Sequence, residues 1–174
     1  NYHPDVKGGS NNMLAIMFDM NRLCESYIYV MLRKAVKDIP EWEVHPQKKQ
    51  LFWQKNGDYS LSLKPDIVVY NKNKLTSFVL DTKWKFRRDT SMEDVRQMYA
   101  YGHYFKSEQR FLLYPEKLHD KVVDKHTGAF YDVNTNGYSA TELCGLLFID
   151  LLNSDSKLNV QSGKSILEAF SGKF

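Results

Sequence analysis

Leu63-Lys64-Pro65-Asp66-Ile67-Val68-Val69-Tyr70, then Asn71-Lys72-Asn73-Lys74, then Leu75-Thr76-Ser77-Phe78-Val79-Leu80-Asp81-Thr82-Lys83-Trp84-Lys85, is the stretch from which the fold is read. Two runs rich in β-branched and aromatic residues flank a polar turn, which predicts neighbouring strands over 61–70 and 75–85. Side chains alternate across a strand, so Asp81 and Lys83 share one face with Val79 and Lys85. Phe78, Leu80, Thr82 and Trp84 take the other face. One face is apolar and the other carries ionisable groups.

Outward from this pair, residues 19–37 read as a long helix. Asp19 or Asn21 serves as its cap, and Lys34 and Lys37 suit its C-terminal end. Its middle, Tyr27-Ile28-Tyr29-Val30-Met31-Leu32, is apolar all round and predicts packing on more than one side. Short strands over 43–45 and 51–54 precede the turn pair Asn56-Gly57. Ser91 opens a helix running to 104, with Asp94 as a capping-box partner. Phe111-Leu112-Leu113-Tyr114 predicts a buried strand that stops at Pro115. Residues 116–141 are polar and turn-rich and read as an irregular excursion, followed by a strand over 146–151 and a short helix over 165–170. This order predicts an α/β (α+β mixed) fold, a central mixed sheet with helices on its faces. Residues 1–12, with Pro4, Gly8, Gly9, Ser10, Asn11 and Asn12, read as a linker or tail, leaving 13–174 as one domain.

At 174 residues the chain can bury a sizeable core, and 43% hydrophobic with 26% charged residues is ordinary globular composition. The net charge of +3 permits a nucleic-acid partner without demanding one. Cys24 and Cys144 lack the spacing of a zinc site or disulfide framework and read as small buried residues in a reducing compartment. No apolar run approaches the roughly 20 residues that span a bilayer, and no signal peptide is visible, so a cytoplasmic protein without a membrane role is expected. The chain opens on Asn1 rather than Met, as a piece of a longer protein would.

The chemistry that needs two carboxylates and a lysine on neighbouring strands is phosphodiester hydrolysis. Asp66 and Asp81 would hold a hard divalent cation, Mg²⁺ or Mn²⁺, that binds the phosphate and lowers the pKa of a bound water. Lys83 would orient or deprotonate that water, or neutralise developing charge. The same residues also fit an ordinary ion pair on a solvated face, since Asp-x-Lys alone is common. Glu25 continues the helical line of Ile28, Leu32 and Val36. It is a further metal ligand, an exposed edge residue or a salt-bridge partner for Arg22 or the neighbours of Tyr29. Gln97 and Tyr101 share a helix face with Asp94, either to hold a phosphate, the lysine or a metal-bound water, or as a tyrosine-rich packing face. Lys83-Trp84-Lys85-Phe86-Arg87-Arg88 can grip phosphates and stack a base, with Lys85, Arg87 and Arg88 as the nucleic-acid contacts, or form a solvated basic turn. His45, His103, His119 and His126 have no ligand spacing and are assigned no role.

Pro65-Asp66, Asp81-x-Lys83 and Gln97-x-x-x-Tyr101 resemble the PD-(D/E)XK nuclease superfamily, in its branch with the Q-x-x-x-Y helix. Phe18-Asp19-Met20-Asn21-Arg22-Leu23 followed by Glu25 is similar to the nuclease domains of the McrC family. So are Leu80-Asp81-Thr82-Lys83-Trp84-Lys85 and Asp94-x-x-Gln97-Met98-x-Ala100-Tyr101. McrC proteins are the cleaving subunits of the McrBC modification-dependent restriction system. The resemblance runs over about residues 13–152 and implies a restriction-endonuclease-like core. It implies that Asp66 and Asp81 bind the metal, joined by Glu25 and the Thr82 carbonyl, that Lys83 serves the attacking water, and that Gln97 and Tyr101 orient the site. It further implies DNA as substrate and a GTP-hydrolysing, McrB-like AAA+ partner. No counterpart is read of the N-terminal region that engages that partner, so either the nuclease half of such a protein or a stand-alone relative is expected. Cleavage of both strands would need two sites, hence a homodimer or a partner-organised assembly. The competing expectations are a catalytically idle nucleic-acid-binding or assembly module, or a related repair or RNA nuclease.

Overall fold

The computed structural model describes residues 19–85, 90–118 and 121–171. Helix α1 spans Met20–Ala35, with the Asp19 carboxylate accepting from the Arg22 N–H at its start and Arg33 and Lys34 in its last turn. Strands β1 (Trp42–Pro46), β2 (Gln50–Gln54), β3 (Ser60–Leu63), β4 (Ile67–Asn71) and β5 (Thr76–Thr82) follow. Helix α2 (Met92–Tyr104) crosses to β6 (Ser107–Pro115), then come β7 (Val123–Asp132), β8 (Gly137–Ile149) and helix α3 (Ser162–Ser171).

Six strands form one mixed sheet in the order β1-β4-β5-β6-β8-β7. The middle strands β5, β6 and β8 are parallel, while β1, β4 and β7 pair antiparallel to their neighbours. This is the central mixed sheet flanked by helices that the sequence predicts. Parallel strands covered on both faces read as continuous apolar runs rather than alternations. Here Ile67, Val69, Phe78 and Leu80 pack under α1 and α3, while Val68 and Val79 pack under α2 with Met98 and Tyr101. A close approach fixes the seat of α2. Gly102 lies against the buried guanidinium of Arg110, so any Cβ there would fall 2.0 Å from its Cζ. Arg110 in turn pairs with Glu142 on β8 and donates to the Tyr99 carbonyl.

Several expectations are corrected. The single strand over 61–70 is broken at Lys64-Pro65-Asp66, and β3 pairs with β2 in a separate two-stranded sheet while β4 joins the main one. Pro65 has no N–H to give a ladder, and it biases the residue before it. The strand over 75–85 ends at Thr82. Residues 116–141 are not an irregular excursion, because β7 and the first half of β8 form a long hairpin. Its outer part is mostly exposed, so no buried face imprinted an alternation on the sequence. The final strand runs from Gly137 to Ile149 instead of over 146–151. Helix α1 packs mainly on one side, with Cys24, Ile28, Met31 and Leu32 buried but Leu23 and Val30 exposed. Both cysteines are buried and free, as read from their spacing. Among the described residues no helix is long and apolar enough to cross a membrane. The expected tail over 1–12, and His119, lie outside the described residues.

Candidate active site

Antiparallel pairing sets Ile67 opposite Leu80, so Asp66, one residue before β4, comes beside the end of β5. There its Oδ2 accepts both the N–H and the hydroxyl of Thr82, each at 2.7 Å. The N–H and C=O of one strand residue point the same way, so the Thr82 carbonyl also faces the β4 side where Asp66 sits.

Asp81 has the parity of Val79 and therefore lies on the α2 face, 4% exposed. Burying a carboxylate costs several kcal/mol, on the order of that for any ion, unless a partner is close. Lys83 Nζ is that partner, at 2.5 Å from Asp81 Oδ2. Burial, and then the negative field of Asp66, push the Asp81 carboxyl up to about 6 despite the lysine. Lys83 is itself half-buried, which works against its charge, yet Asp81 and Asp94 raise it above its ordinary value, so it stands as an ammonium.

Helix α2 closes the network. Lys83 Nζ lies 3.3 Å from Asp94 Oδ1 and donates to Gln97 Oε1 at 3.3 Å, and Gln97 Nε2 donates to the Tyr101 hydroxyl at 2.7 Å. Asp94, Gln97 and Tyr101 face the same side because they are three and four residues apart. Asp94 also closes the capping box with Ser91 and pairs with Lys85. Burial alone would raise its carboxyl, but the bonds from Lys85 and Ser91 and the charge of Lys83 hold it well below the usual range. Tyr101 is buried, and burial together with Asp81 keeps its phenol neutral.

The structure thus joins Asp66, Thr82, Asp81, Lys83, Gln97 and Tyr101 into one site at the end of β5. Lys85 reaches it through Asp94, its ammonium bound there rather than free for a phosphate. Glu25 lies nearby on α1, its carboxyl raised by burial and by Asp66 and eased by Gln47. It is not gathered with Asp66 and Asp81, for among the described residues no three metal-ligating side chains cluster closely enough to hold an ion. Arg87 and Arg88 lie outside the described residues. The sequence placed Asp94 on the right helix face without its two lysine partners, which only the β5-α2-β6 crossover brings together. Asn21 is a similar case, accepting from the Trp84 N–H at 3.2 Å and so tying the start of α1 to the end of β5. Beside this junction a groove of about 850 Å³ opens, lined by Met20, Leu23, Trp84, Leu118 and Leu158.

The donor set fits a hard divalent cation. Two carboxylates are held close enough for Asp66 to raise Asp81, all the donors are oxygen, and an ammonium already supplies positive charge where it is wanted.

The profile of a family described as "McrBC 5-methylcytosine restriction system component" matches residues 1–115. No curated protein matches the sequence. Among solved structures the fold is similar to a chain from the tetradecameric assembly of Thermococcus gammatolerans McrB AAA+ hexamers with bound McrC. The identity is 20%, the TM-score 0.55, and the match covers 88% of this chain and 33% of that one. Protein VC1899 from Vibrio cholerae is matched over 52% of this chain and 23% of its own, at 12% identity and a TM-score of 0.41. The chain spans about a third of the length of the Thermococcus chain it resembles.

Proposed function

Because the chain belongs to the family of McrBC 5-methylcytosine restriction system components, we propose that it is a metal-dependent endonuclease domain of the PD-(D/E)XK type, cleaving DNA phosphodiester bonds within a restriction system. The observation that carries this reading is the buried Asp81–Lys83 pair set beside Asp66. A structural ion pair would not need a second carboxylate whose field opposes the first.

Asp66 and Asp81, with the Thr82 carbonyl, would hold Mg²⁺ or Mn²⁺, which supplies Lewis-acid polarisation of the phosphate and a water of lowered pKa. Thr82 orients Asp66 through its two hydrogen bonds. Lys83 acts as a cation that positions the attacking water and offsets charge on the phosphate, since its neighbours favour the ammonium. Gln97 holds Lys83 in place, and Tyr101 holds Gln97. Glu25, a further carboxylate on α1 that feels the charge of Asp66, would enter the site by a change of side-chain position.

The Thermococcus assembly supports a second element of the reading, a McrB-like AAA+ subunit as partner. The family description makes 5-methylcytosine-bearing DNA the substrate to test first. The test is cleavage of methylated DNA, plain DNA and RNA, with Mg²⁺ or EDTA and with or without a McrB-like subunit and GTP. Metal-dependent cutting of DNA is expected. Absence of cutting under every condition would leave an idle assembly module.

A further inference from the structure

The hairpin of β2 and β3 stands outside the main sheet, and all of β2 is exposed. Tyr59, Leu61 and Leu63 share a strand face, and the register adds Trp53 opposite Leu61. Only Leu63, at the base, reaches the core under α2. Trp53, Tyr59 and Leu61 are 48%, 57% and 42% exposed, and a bulge turns Phe52 onto Tyr104 at the end of α2. Apolar rings are costly to leave in water along a whole ribbon face, so this stripe is built for a partner.

Charge identifies the partner. Residues 48–64 hold four of the chain's 24 Lys and Arg but one of its 21 Asp and Glu, so the net +3 is carried here and the rest of the chain is neutral. Among the described residues no carboxylate pairs with Lys48, Lys49 or Lys55. Lys64 donates to the Gln47 amide. The base of the hairpin is tied to the site, because Leu63 packs against the cluster that holds Tyr101 and Asp66 follows three residues later.

We propose that the β2–β3 hairpin is a nucleic-acid guide, with Lys48, Lys49 and Lys55 on phosphates and Trp53 and Tyr59 stacking on bases, which leads a strand to Asp66 and Asp81. A ribbon whose longer strand has five residues extends about 17 Å, enough to track several nucleotides. This rests on the endonuclease reading, but its test does not require cutting.

The test is binding of fluorescein-labelled single-stranded and duplex DNA to the full chain in EDTA, across a salt series. Lys48→Gln, Lys49→Gln and Lys55→Gln together should weaken binding about 10–100-fold at low salt. They should also flatten the log–log salt dependence by about 2, since each phosphate contact contributes roughly 0.7–0.9. Trp53→Ala with Tyr59→Ala should cost about 30-fold or more and leave the slope unchanged. Unchanged affinity and slope in variants that melt like the parent would overturn the proposal, as would no DNA binding by the parent. Variants that keep DNA but lose a McrB-like subunit would overturn it in favour of a protein partner. A parent that binds through the hairpin yet never cuts would instead defeat the endonuclease reading and leave the guide standing.

Discussion

Thr82 gives both its N–H and its hydroxyl to one oxygen of Asp66, each at 2.7 Å. The loop before β4 is thereby locked to the end of β5, and the carboxylate is turned while its other oxygen takes no part in the lock. Thr82→Val keeps the shape and the backbone bond but removes the hydroxyl. The expected result is a cleavage rate about 10–100-fold lower with weaker metal affinity, the usual size of effect for a group that orients a ligand. Thr82→Ser should restore most of it. Equal rates for Thr82→Val and the parent would remove Thr82 from the site.

Asp81 should cost stability until a cation arrives. Its folded pKa is raised to about 6, so the folded state favours the protonated acid. That contribution is present below the unfolded value near 3.9 and is lost as pH rises through 6. Metal-free Asp81→Asn should therefore melt above the parent at pH 7.5, with the gap closing toward pH 4. Mg²⁺ should raise the melting temperature of the parent and leave that of the variant unmoved. Thermal melts at the two pH values, with and without Mg²⁺, check both.

Asp94 has the opposite sign. Its carboxyl is held low by Lys85, Ser91 and Lys83, so its stabilisation is full above about pH 4 and is lost as pH falls below that. Asp94→Ala leaves the Ser91 cap in place but removes the reciprocal half of the capping box together with the pairing to two lysines. A stability loss of about 1–3 kcal/mol at pH 7, shrinking in acid, is expected in urea titrations.

Tyr101→Phe preserves a buried ring and deletes the acceptor of the Gln97 amide. A cost of about 1 kcal/mol is expected. Lys83, no longer braced by Gln97, should lose rate in kcat more than in KM, read in steady-state cleavage.

Much of this was legible because strands have a period of two. Parity alone put Asp81 and Lys83 on one face, and helical spacing did the same for Asp94, Gln97 and Tyr101. The capping box of Ser91 and Asp94 was equally local. What stayed hidden is long-range or faceless. The pairing of Lys83 and Lys85 with Asp94 depends on a crossover helix. The break at Pro65 separates two sheets that a run of apolar residues disguises as one strand. Strand β7 lies at an edge with few buried side chains, so it carries no pattern to read.

The most direct test is the single-turnover rate of DNA cleavage by the parent and by Asp81→Asn and Lys83→Met, with Mg²⁺ and the McrB-like subunit present. Both variants should fold and bind DNA as the parent does and cut at least about 10²–10³-fold more slowly. Cleavage at the parental rate by either folded variant would contradict the assignment of the Asp81–Lys83 pair as the catalytic centre.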